Sequence, residues 1–293
     1  MQSVPNPIGA WARRRAGGEI TAVRGVSWRP AGSRVWELTR ADASRFFLKV
    51  APTAARYTRE THAYRHAVPA LGHAHAPVLV DSDPGALALL LTAAPGLDAT
   101  AQAAGRTERY RQAGALLRRL HDAGGAAPAG GADRWAADRR AAAEEQVAAL
   151  TAVGALDAAE RRLVLDRAAV LHLLPPLPAA FLHGDLREDH LLWDAAGARL
   201  ALVGFAQARG GCAAEDLVRM AYGPWQRDRA LGAAFLRGYG RELTDAERYA
   251  LPTLAALDAV GVMACGVRHG DEEAVARARG VLGAQTPHVA LRA

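Results

Sequence analysis

The chain has 293 residues, 51% apolar and 23% charged, with a formal net charge of +6 and a pI near 9.9. That length suits two domains, or two lobes of one, with ample core. Two cysteines without a CxxC pair, Cys212 and Cys265, exclude a disulfide framework and point to a reducing cytoplasm, and arginines scattered over helical stretches rather than gathered in a tract set nucleic acid aside as a partner.

Residues 1–10 lack the basic-then-apolar pattern of a signal peptide. No apolar run approaches the ~18 residues of a membrane span, so no membrane partner is expected. Residues 35–39 alternate, 41–44 turn and 46–50 return, which predicts a β-hairpin. Residues 56–68 read as a helix reached through Pro52 and Thr53. Residues 76–81 and 86–91 read as two more strands around a turn at 82–85, and Pro95 with Gly96 closes this β-rich block. Helical periodicity then dominates, at 109–123, 132–153, 158–173, 227–239, 244–269 and 272–282. A strand–turn–strand stretch at 181–205 interrupts it. Residues 123–131, rich in Gly and Ala, read as a loop, and the tail from 285 as frayed. The pattern predicts an α+β chain: a small β-rich lobe over residues 1–94, a hinge near 92–96, and a larger, mainly helical lobe over residues 95–293.

One residue stands out by rarity. Of the 36 basic residues, Lys49 alone is a lysine. In a chain so rich in Ala, Arg and Gly, a lysine that persists marks a place for a compact point charge rather than a planar guanidinium. Its setting, RFFLKV at 45–50, is an apolar strand with a cation near its end, which suits phosphate in a narrow cleft. Chance survival of a surface lysine is the alternative. The stretch with most chemistry is FLHGDLREDHLLWD at 181–194. An apolar lead-in, an HGD turn and an apolar strand present a carboxylate on a rigid support. Asp185 there could accept the proton of an attacking hydroxyl.

Lys49 on a strand, Glu60 on the following helix, the Pro95–Gly96 hinge and the HGD loop together resemble the aminoglycoside phosphotransferase family. These are small-molecule kinases with the protein-kinase fold. Further marks are LLLTAAPG at 89–96, LRRLHD at 117–122, LLWD at 191–194 and EDLVR at 215–219. The resemblance implies a two-lobed protein-kinase-like fold with its catalytic loop in 181–205, and ATP as phosphoryl donor. It implies that Lys49, aligned by Glu60, holds the α- and β-phosphates, and that Asp185 orients and deprotonates the acceptor. Gly32 and Ser33 would form the turn above the phosphates, although no GxGxxG is present. The backbone at Thr92 and Ala93 would meet the adenine, and His183 would brace the loop by packing. The implied acceptor is a hydroxyl of a small molecule or natural product; a peptide side chain is the other candidate.

Two positions depart from the family. Kinases of this fold hold Mg2+ with a catalytic-loop Asn and with an Asp before the Phe of the next strand. Here those positions are His190 and Gly204. Mg2+ takes oxygen ligands and glycine offers no side chain, so the resemblance extends to ATP but not securely to Mg2+. Glu188 and Asp189 could recruit an ion by another route or be solvated loop acids. His190 could ligate Zn2+ or Mn2+ or stand in for the Asn by hydrogen bonding. Two functions stay open: a phosphotransferase, and a pseudokinase binding a nucleotide, a peptide or a partner protein. Elsewhere, His62 and His66 have the i,i+4 spacing of a zinc pair with His73 and His75 nearby, but no carboxylate or cysteine is placed to complete a site. The acids Asp271, Glu272 and Glu273 could receive a polycation, and solvation explains them equally well.

Overall fold

A computed structural model describes residues 4–27, 32–98, 105–123 and 131–285. The chain forms two compact units. The first comprises residues 1–125, 181–209 and 230–241, the second residues 126–180, 210–229 and 242–293.

The first unit begins with helix α1 (Asn6–Ala16), strands β1 (Ile20–Gly25), β2 (Arg34–Arg40) and β3 (Arg45–Val50), helix α2 (Ala54–His66), and strands β4 (Leu79–Asp83) and β5 (Ala88–Thr92). The five strands make one antiparallel sheet in the order β1-β2-β3-β5-β4. The β2–β3 hairpin is the expected one, with Val35 opposite Lys49 and Leu38 opposite Phe46. Strand alternation assigns the faces. Trp36, Leu38, Phe46, Leu48, Val50 and Leu90 are buried in one cluster with Ala12 and Ala16 of α1. Lys49, out of phase with Leu48 and Val50, belongs to the opposite face, where α2 lies. Thr53 starts α2 by accepting a hydrogen bond from the Arg56 N–H.

Neither α1 nor β1 was legible in the pattern. The buried residues of α1 are Gly9, Ala12 and Ala16, too small to mark a stripe, and most of β1 is exposed. The β4–β5 pair sits two to three residues later than its apolar runs suggest. Asp83 Oδ1 accepts from the N–H groups of Gly85 and Ala86, which fixes the turn after residue 83.

Next come β6 (Leu97–Asp98), α3 (Arg106–Asp122), α4 (Gly131–Ala152), α5 (Ala158–Ala169), β7 (Ala179–Leu182), β8 (Leu191–Asp194), β9 (Arg199–Leu202), β10 (Arg209–Cys212), α6 (Ala214–Ala221), α7 (Pro224–Arg227), α8 (Arg229–Tyr239), α9 (Asp245–His269) and α10 (Glu272–Gly283). The expected loop at 123–131 and the tail fall almost wholly outside the described residues. The helix expected at 158–173 ends at 169 and tightens into a 3-10 turn at Leu171–Leu173, because Leu174, which precedes a proline, is extended. The helix expected at 227–239 is α8 alone, since Asp228 is extended and separates it from α7.

In the first unit β6, β8 and β9 form a second antiparallel sheet. Helices α3 and α8 touch backbone to backbone at Gly114, where a Cβ would lie 2.0 Å from the Phe235 carbonyl oxygen. A buried hydrogen bond of 2.7 Å between His121 Nδ1 and the Tyr239 hydroxyl also joins these two helices.

In the second unit α9 packs against α4, α5, α6 and α10. The EDLVR stretch at 215–219 ties its neighbours together. Glu215 accepts from Trp135 of α4 and pairs with Arg139, and Arg219 forks onto Asp258 of α9 with two 2.9 Å contacts. The expectation that nothing approaches a membrane span needs correcting for α9. It has 25 residues and an 18-residue window of mean hydropathy 1.7, of which 61% is buried. A core helix apolar on most sides meets the same criterion.

Candidate active site

Lys49, Glu60 and the 181–205 stretch with Asp185, His190 and Gly204 lie in the first unit, whereas the acids Asp271, Glu272 and Glu273 lie in the second. Lys49 Nζ donates to Glu60 Oε1 at 2.7 Å, with side-chain exposures of 14% and 1%. One of the three ammonium N–H groups is thus used to hold the side chain against Glu60. Glu60 Oε2 is buried and accepts no hydrogen bond from the described residues. Burial, helped by the Glu60 charge, pushes the Tyr64 phenol well above its ordinary range.

A run of contacts leads from this pair to the HGD turn. Tyr64, one helical turn beyond Glu60, meets Phe205 edge-on with ring centroids 5.5 Å apart. Phe205 packs on His183 at 4.9 Å. His183 is fully buried; its Nε2 lies 2.9 Å from the Val203 carbonyl, and its Nδ1 accepts from the Asp185 N–H at 3.3 Å. With Nδ1 accepting, Nε2 is the ring nitrogen that donates, to Val203. His183 therefore braces the loop. In parallel, Arg59 Nη1 donates to Gln207 Oε1 at 3.0 Å. Gln207 backs the turn: a Cβ on Gly184 (φ +76°) would fall 2.2 Å from its carbonyl oxygen, so the middle residue of HGD must be glycine.

Asp185 is half-buried. Its Oδ1 lies 3.4 Å from Arg187 Nε, and its Oδ2 lies 3.8 Å from His190 Nδ1. Arg187 also pairs with Asp189 at 2.9 Å. Glu188 turns away, its Oε1 accepting from Arg106 at 3.0 Å and from the Tyr110 hydroxyl at 2.6 Å.

At the two departing positions the structure adds a steric fact. His190 Nδ1 donates to the Asp185 carbonyl at 2.7 Å, and its Nε2 lies 3.4 Å from Arg187 Nη2. Burial holds its pKa down at about 4, so the ring is neutral. The ring covers Gly204, which is left-handed at φ +88°. A Cβ there would sit 2.8 Å from His190 Cδ2 and Nε2 and 2.9 Å from Cε1. The family's Mg2+ pair does not fit: one ligand has no side chain, the other fills the space where that side chain would begin, and Glu188 and Asp189 are held by cations. Among the described residues no group of three or more His, Cys, Asp or Glu is placed to hold a metal ion. This leaves the Zn2+ or Mn2+ option for His190 without supporting ligands.

Of the remaining expected residues, Thr92 and Ala93 lie where β5 ends. The Thr92 N–H goes to Val78, and the Ala93 N–H to Arg45. Gly32 and Ser33 lead into β2, and the turn assigned to them reaches into residues 28–31, outside the described residues. His62 and His66 lie with ring centroids 4.6 Å apart, and among the described residues no third ligand joins them. His75 Nδ1 bonds the Leu200 carbonyl. The acid cluster starts α10, where Asp271 accepts from the Ala274 N–H and Glu273 pairs with Arg277. Sequence reasoning missed Arg59, Tyr64 and Gln207. Arg59 and Tyr64 flank Glu60 on one helix, and the i,i+4 step from 60 to 64 was a usable signal.

A strand lysine paired to a helix glutamate and joined by packing to an HGD turn defines a kinase-like fold. The model of the phosphotransferase enzyme family (APH) matches residues 27–257, and the chain belongs to that family. No curated protein sequence matches it. Among solved structures it is similar to a choline/ethanolamine kinase family protein from Mesorhizobium loti, at 18% identity and TM-score 0.68, covering 94% of this chain and 93% of that one. It is similar to the gentamicin–APH(2'')-IIa complex at 14% identity and TM-score 0.66, covering 96% and 97%. It is also similar to spectinomycin phosphotransferase in complex with ADP and spectinomycin, at 12% identity and TM-score 0.65, covering 96% and 98%. At these identities the likeness establishes the two-lobed fold.

Proposed function

We propose that the chain is a phosphotransferase that binds ATP through Lys49 and directs the γ-phosphoryl group to a hydroxyl of a small molecule or natural product. The small lobe, residues 1–94, carries the phosphate-binding lysine, and the larger lobe, residues 95–293, carries the catalytic loop. The bond that forms joins the acceptor oxygen to the γ-phosphorus. The bond that breaks is the one to the β–γ bridging oxygen, ADP leaves, and the acceptor proton passes to Asp185. The observation that carries this reading is the 2.7 Å Lys49–Glu60 pair, linked through Tyr64, Phe205 and His183 to Asp185. Similar structures that hold ADP with spectinomycin, or gentamicin, support a nucleotide and a small hydroxyl compound. Two free cysteines favour the cytoplasm as its setting.

The His190 ring over Gly204 favours a second reading, in which the same site binds a nucleotide, a peptide or a partner protein without turnover. ADP release from ATP, measured over a panel of hydroxyl compounds with wild type and Asp185→Asn, separates the two. The first reading expects acceptor-dependent turnover that falls at least about 100-fold in the variant. Nucleotide binding without turnover by any acceptor refutes it and leaves the scaffold.

A further inference from the structure

We propose that this site holds the nucleotide's polyphosphate without a divalent cation, and that Arg59 supplies the countercharge. The inference rests on the nucleotide reading above and concerns how the phosphates are neutralised.

Steric closure is the first argument. The His190 ring lies within 2.9 Å of any Cβ at position 204, and hydrogen bonding to the Asp185 carbonyl fixes it there. The space is filled as well as short of a ligand, and the adjacent carboxylates of Glu188 and Asp189 are held by Arg106, Tyr110 and Arg187. A triphosphate carries several negative charges, and in a site without a metal these must be met by side chains.

Among the described cations that contact the 181–207 stretch or Glu60, charge pairing then picks out one residue. Lys49 is balanced by Glu60, Arg106 by Glu188, and Arg187 by both Asp185 and Asp189. Arg59 differs. Its guanidinium donates to a neutral amide, Gln207, and no carboxylate among the described residues pairs with it. Gln207 is also the residue whose backbone carbonyl lies against Gly184, so Arg59 bonds a residue that touches the HGD turn. A guanidinium fork suits phosphate oxygens, and the amide is a weak competitor for it.

The test is titration calorimetry of the full chain with ATP, once in EDTA and once in excess Mg2+. The expected result is a Kd in EDTA no weaker than in Mg2+. Arg59→Gln should weaken binding in EDTA about tenfold or more, as for loss of a charge-assisted hydrogen bond. Arg59→Lys should restore most of that loss, and circular dichroism should show both variants folded. Binding at least about tenfold tighter in Mg2+, or an unchanged Kd in Arg59→Gln, overturns this proposal while leaving the nucleotide reading intact. Absence of ATP binding in both conditions overturns the two together.

Discussion

Replacing Gly204 by alanine tests the filled pocket directly, without reference to activity. The added Cβ would lie 2.8–2.9 Å from three atoms of the His190 ring, inside the ~3.5–4.0 Å optimum for such contacts. The ring has little freedom to yield, because Nδ1 is tied to the Asp185 carbonyl at 2.7 Å and the buried His183 ring lies 5.5 Å away. Overpacking of this kind costs about 1–3 kcal/mol, and a left-handed conformation adds about 1–2 kcal/mol for a residue with a Cβ. In a His190→Ala background the overlap disappears and the backbone cost stays. A double-mutant cycle over the four proteins should therefore give a coupling of about 1–3 kcal/mol. Urea unfolding followed by circular dichroism measures it. Equal costs of Gly204→Ala in the two backgrounds would mean that the ring does not cover position 204, and the steric part of the case against the metal pair would fall with it.

Three further outcomes are expected. Gly204→Asp combined with His190→Asn restores both ligand types and the room for them, so calorimetry should show Mg2+ strengthening ATP binding about tenfold, whereas Gly204→Asp alone gains nothing; equal responses would contradict this. Lys49→Met strands a carboxylate that is 1% exposed and should lower stability by about 3–5 kcal/mol, with partial recovery in Lys49→Met/Glu60→Gln, read from denaturant midpoints. The His190 pKa of about 4 lies below its ordinary value because burial disfavours the charged ring. The unfolded chain therefore takes up this proton first as pH falls, and the stability held above pH ~6.5 declines toward pH 4 by up to about 3 kcal/mol. His190→Asn should flatten that part of the stability profile, and an unchanged slope would count against the buried neutral ring.

The sequence revealed most where chemistry and periodicity agree. The β2–β3 hairpin, α2 and the long helices α3, α4, α9 and α10 follow their apolar spacing, and the capping residues Thr53 and Thr244 mark the starts of α2 and α9. Lys49, Glu60 and Asp185 were visible as residue types in a recognisable order. The elements that stayed hidden are those whose contacts leave no periodic trace: α1, held by small side chains, and the exposed edge strand β1. Within the site, the loss of two metal-ligand types was legible, but the packing of one replacement on the other was not. A histidine and a glycine separated along the chain carry no one-dimensional sign that a ring will fill the space above a backbone. Arg59 stayed hidden because what sets it apart is the amide it meets rather than its own type.

The first unit is assembled from three separated stretches, the last of them residues 230–241. Helix α8 in that stretch presses its backbone on α3 at Gly114 and bonds His121 through Tyr239. On the ribosome, the five-stranded sheet and the HGD turn emerge well before the segment that completes their support. For part of its synthesis the nascent chain thus carries Lys49, Glu60 and Asp185 on an unfinished scaffold. Chains stopped short of α8 should be poorly folded and protease-sensitive even though Lys49, Glu60 and Asp185 are all present.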